Sequence, residues 1–200
     1  MSSQASTPDA GNPDAGNPDA GKPDAGKPPA ETPRRILGID PGLNTTGYGV
    51  IEFDGLKPRL IEAGIVRSKA KSSIESRLDE IYSGVLEVIQ LHRPTSMALE
   101  QLFSHYERPR TAILMGHARG VICLAAAKCG IQVAHFEPTR VKKVMTGNGR
   151  ASKGQMQLAV KAHLHLTTIP EPADVADALA IAICGHHLGQ GSMMEKLTGA

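Results

Sequence analysis

The chain has no tryptophan, only three phenylalanines and only three cysteines among 200 residues. Cys123, Cys129 and Cys184 are an odd set without CxxC spacing, which excludes a disulfide framework and a cysteine zinc site. Each lies among apolar neighbours, so all three are expected to be buried, reduced thiols. No apolar run reaches the length that spans a bilayer, and no signal or transit pattern is present. A soluble, cytoplasmic protein without a membrane partner is expected. The eight histidines form no ligand set: His163 and His165 are two apart, and His186 and His187 are expected beyond the last helix.

Large apolar residues are missing from residues 1–33. From Pro8 this segment repeats PDAGN, PDAGN, PDAGK, PDAGK, with nothing apolar larger than Ala, so it cannot bury a core. It is expected to be a flexible tail, acting as an inert spacer, ahead of a domain over 34–190 and a flexible end at 191–200. The tail holds five acids (Asp9, Asp14, Asp19, Asp24, Glu31) against Lys22 and Lys27. It therefore carries −3, which leaves +5 for the rest of a chain whose net charge is +2.

That excess is local, because acidic residues are absent between Pro138 and Pro170. The same stretch holds Arg140, Lys142, Lys143, Arg150, Lys153 and Lys161. A one-signed segment of this kind suits a polyanion such as nucleic acid better than a neutral partner.

The apolar pattern predicts strands at Ile36–Asp40, Tyr48–Phe53 and Leu60–Val66, forming an antiparallel meander whose first turn is ProGlyLeuAsnThrThrGly. Apolar Ile74, Leu78, Ile81, Val85, Val88 and Leu91 mark one face of a helix over Ser73–His92, stopped by Pro94. Then follow a buried strand at Met97–Glu100, a helix over Arg110–Lys128 and a strand at Ile131–Phe136. A short helix after Pro138, a helix over Lys153–Leu166 and a last helix from about Pro172 to His187 complete the chain. This order predicts an α/β fold, a mixed five-stranded sheet covered by helices on both faces.

Against that frame, four acids occupy telling positions. Asp40 and Glu100 each end an apolar strand, where a carboxylate is costly unless something positive meets it. Asp174 and Asp177 stand three apart at the start of a helix, hence on one face. Local roles compete: Asp40 could hydrogen-bond its turn, and the helical pair could favour the helix dipole. Convergence of all four would offer hard oxygen ligands for a divalent metal, with room for a substrate phosphate.

Residues 34–188 resemble the RuvC-type Holliday junction resolvases of the ribonuclease H-like superfamily. The stretches that carry the likeness are ILGIDPGLNTTGYGVIE (36–52), LEQLF (99–103), MGHARG (115–120), RVKKVMTGNGRASKGQ (140–155) and ADVADALAIAICGHH (173–187). The resemblance implies a Mg²⁺-dependent endonuclease that cuts two strands of like polarity at four-way DNA junctions. It implies Asp40, Glu100, Asp174 and Asp177 as metal ligands, two Mg²⁺ per subunit with Mn²⁺ as a substitute, and Lys153 as a catalytic cation. Phe103 is implied as an aromatic that stacks on a base, and Lys142 as a substrate-phosphate contact. Arg108, Arg110, Lys143 and Arg150 are expected on the DNA backbone. A homodimer cooperating with the RuvA and RuvB branch-migration proteins is implied as well.

Two other classes are open to this sequence. GIDPGLNTTGYGV is also similar to the phosphate loop of actin-like ATPases, which ATP turnover would reveal. A junction-binding protein without catalysis is the second, and a cleavage assay on synthetic junctions separates it.

Overall fold

The computed structural model describes residues 33–55, 57–102 and 109–198, with side chains described to residue 189. Its strands are β1 (Arg34–Asp40), β2 (Thr45–Asp54), β3 (Lys57–Arg67), β4 (Ser96–Glu100) and β5 (Gln132–Phe136). Its helices are α1 (Ile74–His92), α2 (Pro109–Lys128), α3 (Pro138–Thr146), α4 (Lys153–His163) and α5 (Ala173–Thr198). The strands form one sheet in the order β3-β2-β1-β4-β5. The meander is antiparallel, whereas β4 and β5 run parallel to β1. The expected mixed sheet with helices on both faces is what forms.

Alternation along β1 sorts the residues between two cores. Ile36 joins Ile51, Phe53 and Ala98 against α3, α4 and α5. Leu37 and Ile39 point the other way and join Val50, Met97 and Leu99 against α1 and α2. Fully burying an aliphatic side chain of this size contributes roughly 1.5–3 kcal/mol, so two faces filled this way fix the strand register.

On the first face, glycines set the depth of α5. Gly38 pairs with Gly49 and Asp40 pairs with Gly47 across β1 and β2. A Cβ at Gly38 would lie 2.7 Å from the Ala182 backbone nitrogen, one at Gly49 would lie 2.9 Å from Leu179 Cγ, and one at Gly47 would overlap the Asp174 backbone. The missing side chains and the small Ala178 and Ala182 opposite let α5 lie almost on the sheet, with its first turn over the end of β1.

Several expectations need correction. The first turn is shorter than expected, because the β-branched Thr45 and Thr46 already pair with Arg67 and Val66. The stripe of α1 buries Ile81, Val85, Val88 and Ile89, while Leu91 is 69% exposed. At 100° per residue, Leu91 lies about 100° round from the stripe's centre. Of the thiols only Cys184 is buried; Cys123 is half-buried and Cys129 is exposed just past α2. Helix α5 runs past His187 to Thr198, so the boundary drawn at residue 190 is not the end of the helix. No proline interrupts 188–198, and the glycines there each cost only about 1 kcal/mol. His186 and His187 therefore lie within α5, and buried His186 stacks on Phe53 at a centroid distance of 3.7 Å.

Candidate active site

Ile39 of β1 pairs with Leu99 of β4, and each strand has one further residue, Asp40 and Glu100. Both carboxylates thus leave neighbouring parallel strands at the same level, on the face that carries α5. The exit after Asp40 is pinned by Thr46, whose buried hydroxyl donates to the Gly42 carbonyl at 2.8 Å. The exit after Glu100 is held by the Gln101 N–H, which donates to Phe136 O on β5 at 2.8 Å.

Asp174 and Asp177 arrive from the first turns of α5, lowered onto β1 and β2 by the glycines above. Lys153 is the first residue of α4. Its position is fixed by a capping box in which Ser152 Oγ accepts from the Gln155 N–H and the Gln155 side chain accepts from the Ser152 N–H. The Lys153 ammonium stands 3.8 Å from Asp177 Oδ2. Lys142 approaches from α3. Together Asp40, Glu100, Asp177, Lys142 and Lys153 line a cavity of about 350 Å³, with Pro138, Val141, Met156 and Ile181 as its apolar wall. Asp174 is not part of that lining, but its charge reaches both Asp40 and Asp177.

Crowding buried carboxylates has a measurable consequence. Burial pushes the Asp40 carboxyl up to about 8, with Glu100, Asp177 and Asp174 adding repulsion and Lys153 opposing them. Burial also raises Glu100, aided by Asp177; Lys142, Arg119 and a hydrogen bond with Asp40 pull it back. Asp177 is raised chiefly by burial, with Lys153 opposing and Asp174 reinforcing. Two lysines do not offset four acids, so the site favours additional positive charge.

The donor set decides which cation fits. All candidate ligands are carboxylate oxygens, which suit a hard ion better than zinc, whose sites favour Cys and His. Among the described residues, no three of these side chains close on a common point as a finished cage.

Other expected residues fall elsewhere. Lys143 is exposed on α3, Arg150 is exposed in the loop between α3 and α4, and Arg110 is exposed at the start of α2; none lines the cavity. Phe103 and Arg108 lie outside the described residues. One contributor was not singled out from the sequence. Arg119 of α2 lies 2.8 Å from His135 Nδ1 on β5, and its charge acts on Glu100. Its only signal was membership of MGHARG; nothing in helical spacing marks that arginine.

Asp40, Glu100, Asp177, Lys142 and Lys153 thus share one cavity, with the charge of Asp174 close by, on a ribonuclease H-like fold, and this donor set suits a divalent cation. The family model for crossover junction endodeoxyribonuclease RuvC matches residues 36–186. A RuvC of Rhodopirellula baltica is 63% identical over 162 residues, 81% of this chain and 91% of that protein. A RuvC of Desulforamulus reducens is 47% identical over 149 residues, 74% of this chain and 91% of the relative. Among solved structures, Thermus thermophilus RuvC in complex with Holliday junction substrate is similar with a TM-score of 0.75 and 33% identity, covering 80% of this chain and 96% of that one. The yeast mitochondrial resolvase Ydc2, at 11% identity and a TM-score of 0.60, shares the fold. This chain belongs to the RuvC family of crossover junction endodeoxyribonucleases, divalent-metal-dependent nucleases.

Proposed function

We propose that this chain resolves four-way DNA junctions as a homodimer, nicking two strands of like polarity, with two Mg²⁺ ions per subunit and Mn²⁺ able to replace them. The observation that carries the reading is the single cavity shared by Asp40, Glu100, Asp177, Lys142 and Lys153. Asp40, Glu100, Asp174 and Asp177 would hold the ions. Bound Mg²⁺ supplies activation of an attacking water and neutralisation of the leaving 3′ oxygen.

The chain's own groups do the rest. Lys142 holds the scissile phosphate at the mouth of the cavity. Lys153, fixed by its capping box and by Asp177, stabilises the negative charge that develops on the phosphate oxygens. Apolar Val141, Met156 and Ile181 keep the carboxylates partly dry, which strengthens every charge interaction there. Hydrolysis leaves a 5′ phosphate and a 3′ hydroxyl.

A two-fold dimer presents two equivalent sites to two equivalent strands. The outward face of α2 supports such an association. Ile113 is 61% and Leu124 48% exposed, and between them Gly116 and Gly120 face open space. Arg108, Arg110, Lys143 and Arg150 are proposed as backbone contacts and Phe103 as the base-stacking residue. RuvA and RuvB are the proposed partners. Among the described residues no helix is long and apolar enough to cross a membrane, in keeping with a cytoplasmic role. Residues 1–33 are proposed as a spacer, so a chain starting at Arg34 should cut as well as the full chain.

The test is cleavage of a synthetic mobile junction. Paired, symmetric nicks in Mg²⁺, restored ligatable ends and no cutting in EDTA are expected. Binding without cleavage under all divalent metals would replace this reading with a non-catalytic junction binder.

A further inference from the structure

Helix α3 divides its charges between two sides. Pro138, Val141 and Lys142 face the catalytic cavity. Thr139, Arg140, Lys143 and Val144 face the other way and, with Gly149, line a separate cavity of about 570 Å³. The division follows from helical spacing: Arg140 and Lys143 are three apart and share a face, while Lys142 is turned about 100° from Lys143.

Two features make this second cavity more than a solvated surface. First, neither cation is neutralised: among the described residues no ion pair involves Arg140 or Lys143, and no acid occurs from Pro138 to Pro170. Like charges three apart on a helix repel, and neither is held in an ion pair by Glu137, the acid that precedes the helix. Second, the loop that closes the cavity is built. Thr146 Oγ1 donates to Lys142 O at 2.9 Å and accepts from the Asn148 N–H at 3.2 Å. Asn148 Oδ1 accepts from the Arg150 N–H at 2.9 Å. Gly147 has φ 76°, a left-handed conformation. A Cβ at Gly149 would come within 3.3 Å of Thr139 O, so glycine lets the loop close on the helix.

We infer that this cavity is a second phosphodiester-binding subsite, in which Arg140 and Lys143 hold a backbone phosphate of the DNA arm leading away from the cut. Its distance from the reacting phosphate follows from the helix between them. A helix with its side chains is roughly 10 Å across, and one DNA strand carries a charge every ~3.4 Å of axis. The phosphate held on the far side of α3 is therefore about three nucleotides from the one beside Lys142. Two cations in one pocket, set at that spacing, give the enzyme a grip on the flanking duplex that is independent of the metal cavity.

The inference rests on junction DNA being the substrate. The experiment measures binding in EDTA, using four-way junctions in which single backbone phosphates near the cut are replaced by uncharged methylphosphonates. In the wild type, a replacement about three nucleotides from the cut should weaken binding. In Lys143→Ala and Arg140→Ala the same replacement should cost less than in wild type, because one of the two cations that hold the phosphate is gone. Each variant should also lose one unit of salt slope, so that raising salt from 50 to 200 mM weakens it roughly threefold less than wild type. Arg140→Lys should restore the slope. Lys143 is exposed on a helix, where alanine is well tolerated, so that variant carries the test even if Arg140→Ala folds poorly.

Unchanged salt slopes, or a methylphosphonate penalty as large in the variants as in wild type, would overturn the subsite. A wild type that binds no junction at all would instead overturn the substrate reading on which it rests.

Discussion

Asp40 and Glu100 stand side by side because Ile39 and Leu99 are paired in parallel and each strand ends one residue later. Burial makes each harder to ionise, and the Glu100 charge raises Asp40 further, while a hydrogen bond from Asp40 eases Glu100. The surrounding sheet and α5 hold the arrangement in place, and a divalent cation bound there, as proposed above, would offset the clustered negative charge.

Replacement of Asp40 or Glu100 by the matching amide, or of Asp177 by Asn, should lower junction cleavage by more than the roughly 10–100-fold typical of outer-shell partners. Junction affinity should change little, since it comes from phosphate contacts on basic residues elsewhere. Single-turnover cleavage beside an electrophoretic binding titration separates the two. Cleavage at the wild-type rate would remove that residue from the metal site.

The raised pKa of Asp40 makes metal-free stability depend on pH. Its folded value, about 8, lies above the unfolded value near 3.8, so the folded state binds the proton more tightly. That stability is fully present below the unfolded pKa and is lost as pH rises through the folded pKa. Thermal unfolding in EDTA should therefore show a falling Tm between about pH 4 and 8. Asp40→Asn should flatten this dependence and, at pH 8, raise the metal-free Tm by more than about 2 °C. Adding Mg²⁺ at pH 8 should stabilise the wild type but not the variant. Parallel pH profiles of the two proteins would show that Asp40 carries no such burden.

The close seat of α5 gives a structural prediction. Gly38→Ala places a methyl 2.7 Å from the Ala182 backbone nitrogen, which cannot move aside as a side-chain tip could. A cost of about 1–3 kcal/mol in urea unfolding is expected. Cleavage should fall further than stability alone explains, because α5 must lift and carry Asp174 and Asp177 with it. Gly116→Ala, in open space on α2, should leave folding unharmed.

Much of this was legible in the sequence because it rests on periodicity and strand ends. The apolar runs before Asp40 and Glu100 announce buried strands, and the i,i+3 spacing of Asp174 and Asp177 puts them on one helix face. What the sequence hid depends on three-dimensional approach. Nothing in the string says that Gly38, Gly47 and Gly49 line up across two strands beneath α5. Nor does it say that Arg119, half-buried on α2, reaches His135 on β5 and acts on Glu100. Lys142 and Lys143 look alike in sequence, yet they line different cavities beside α3. Helix α5 runs on past His187 because Gly189 and Gly191, without a proline, only weaken a helix.

Lys153 offers the sharpest separation of chemistry from attraction. Its ammonium lies 3.8 Å from Asp177 Oδ2 at the wall of the cavity, which in the proposed function is where charge develops on the reacting phosphate. A contact made mainly in the transition state lowers the rate when removed and leaves ground-state binding nearly intact. Lys153→Ala should thus reduce the saturated cleavage rate by about 10²–10³, the range for losing one donor to a developing oxyanion, and change junction affinity by less than about threefold, the effect of one phosphate contact. The capping box of Ser152 and Gln155 does not use the Lys153 side chain, so α4 should keep its start and the Tm should barely move. Lys153→Arg keeps the charge but spreads it over a planar group, and should recover only part of the rate. If Lys153→Ala instead loses affinity and cuts normally once saturated, the lysine belongs to the basic surface and the catalytic cation must be sought at Lys142.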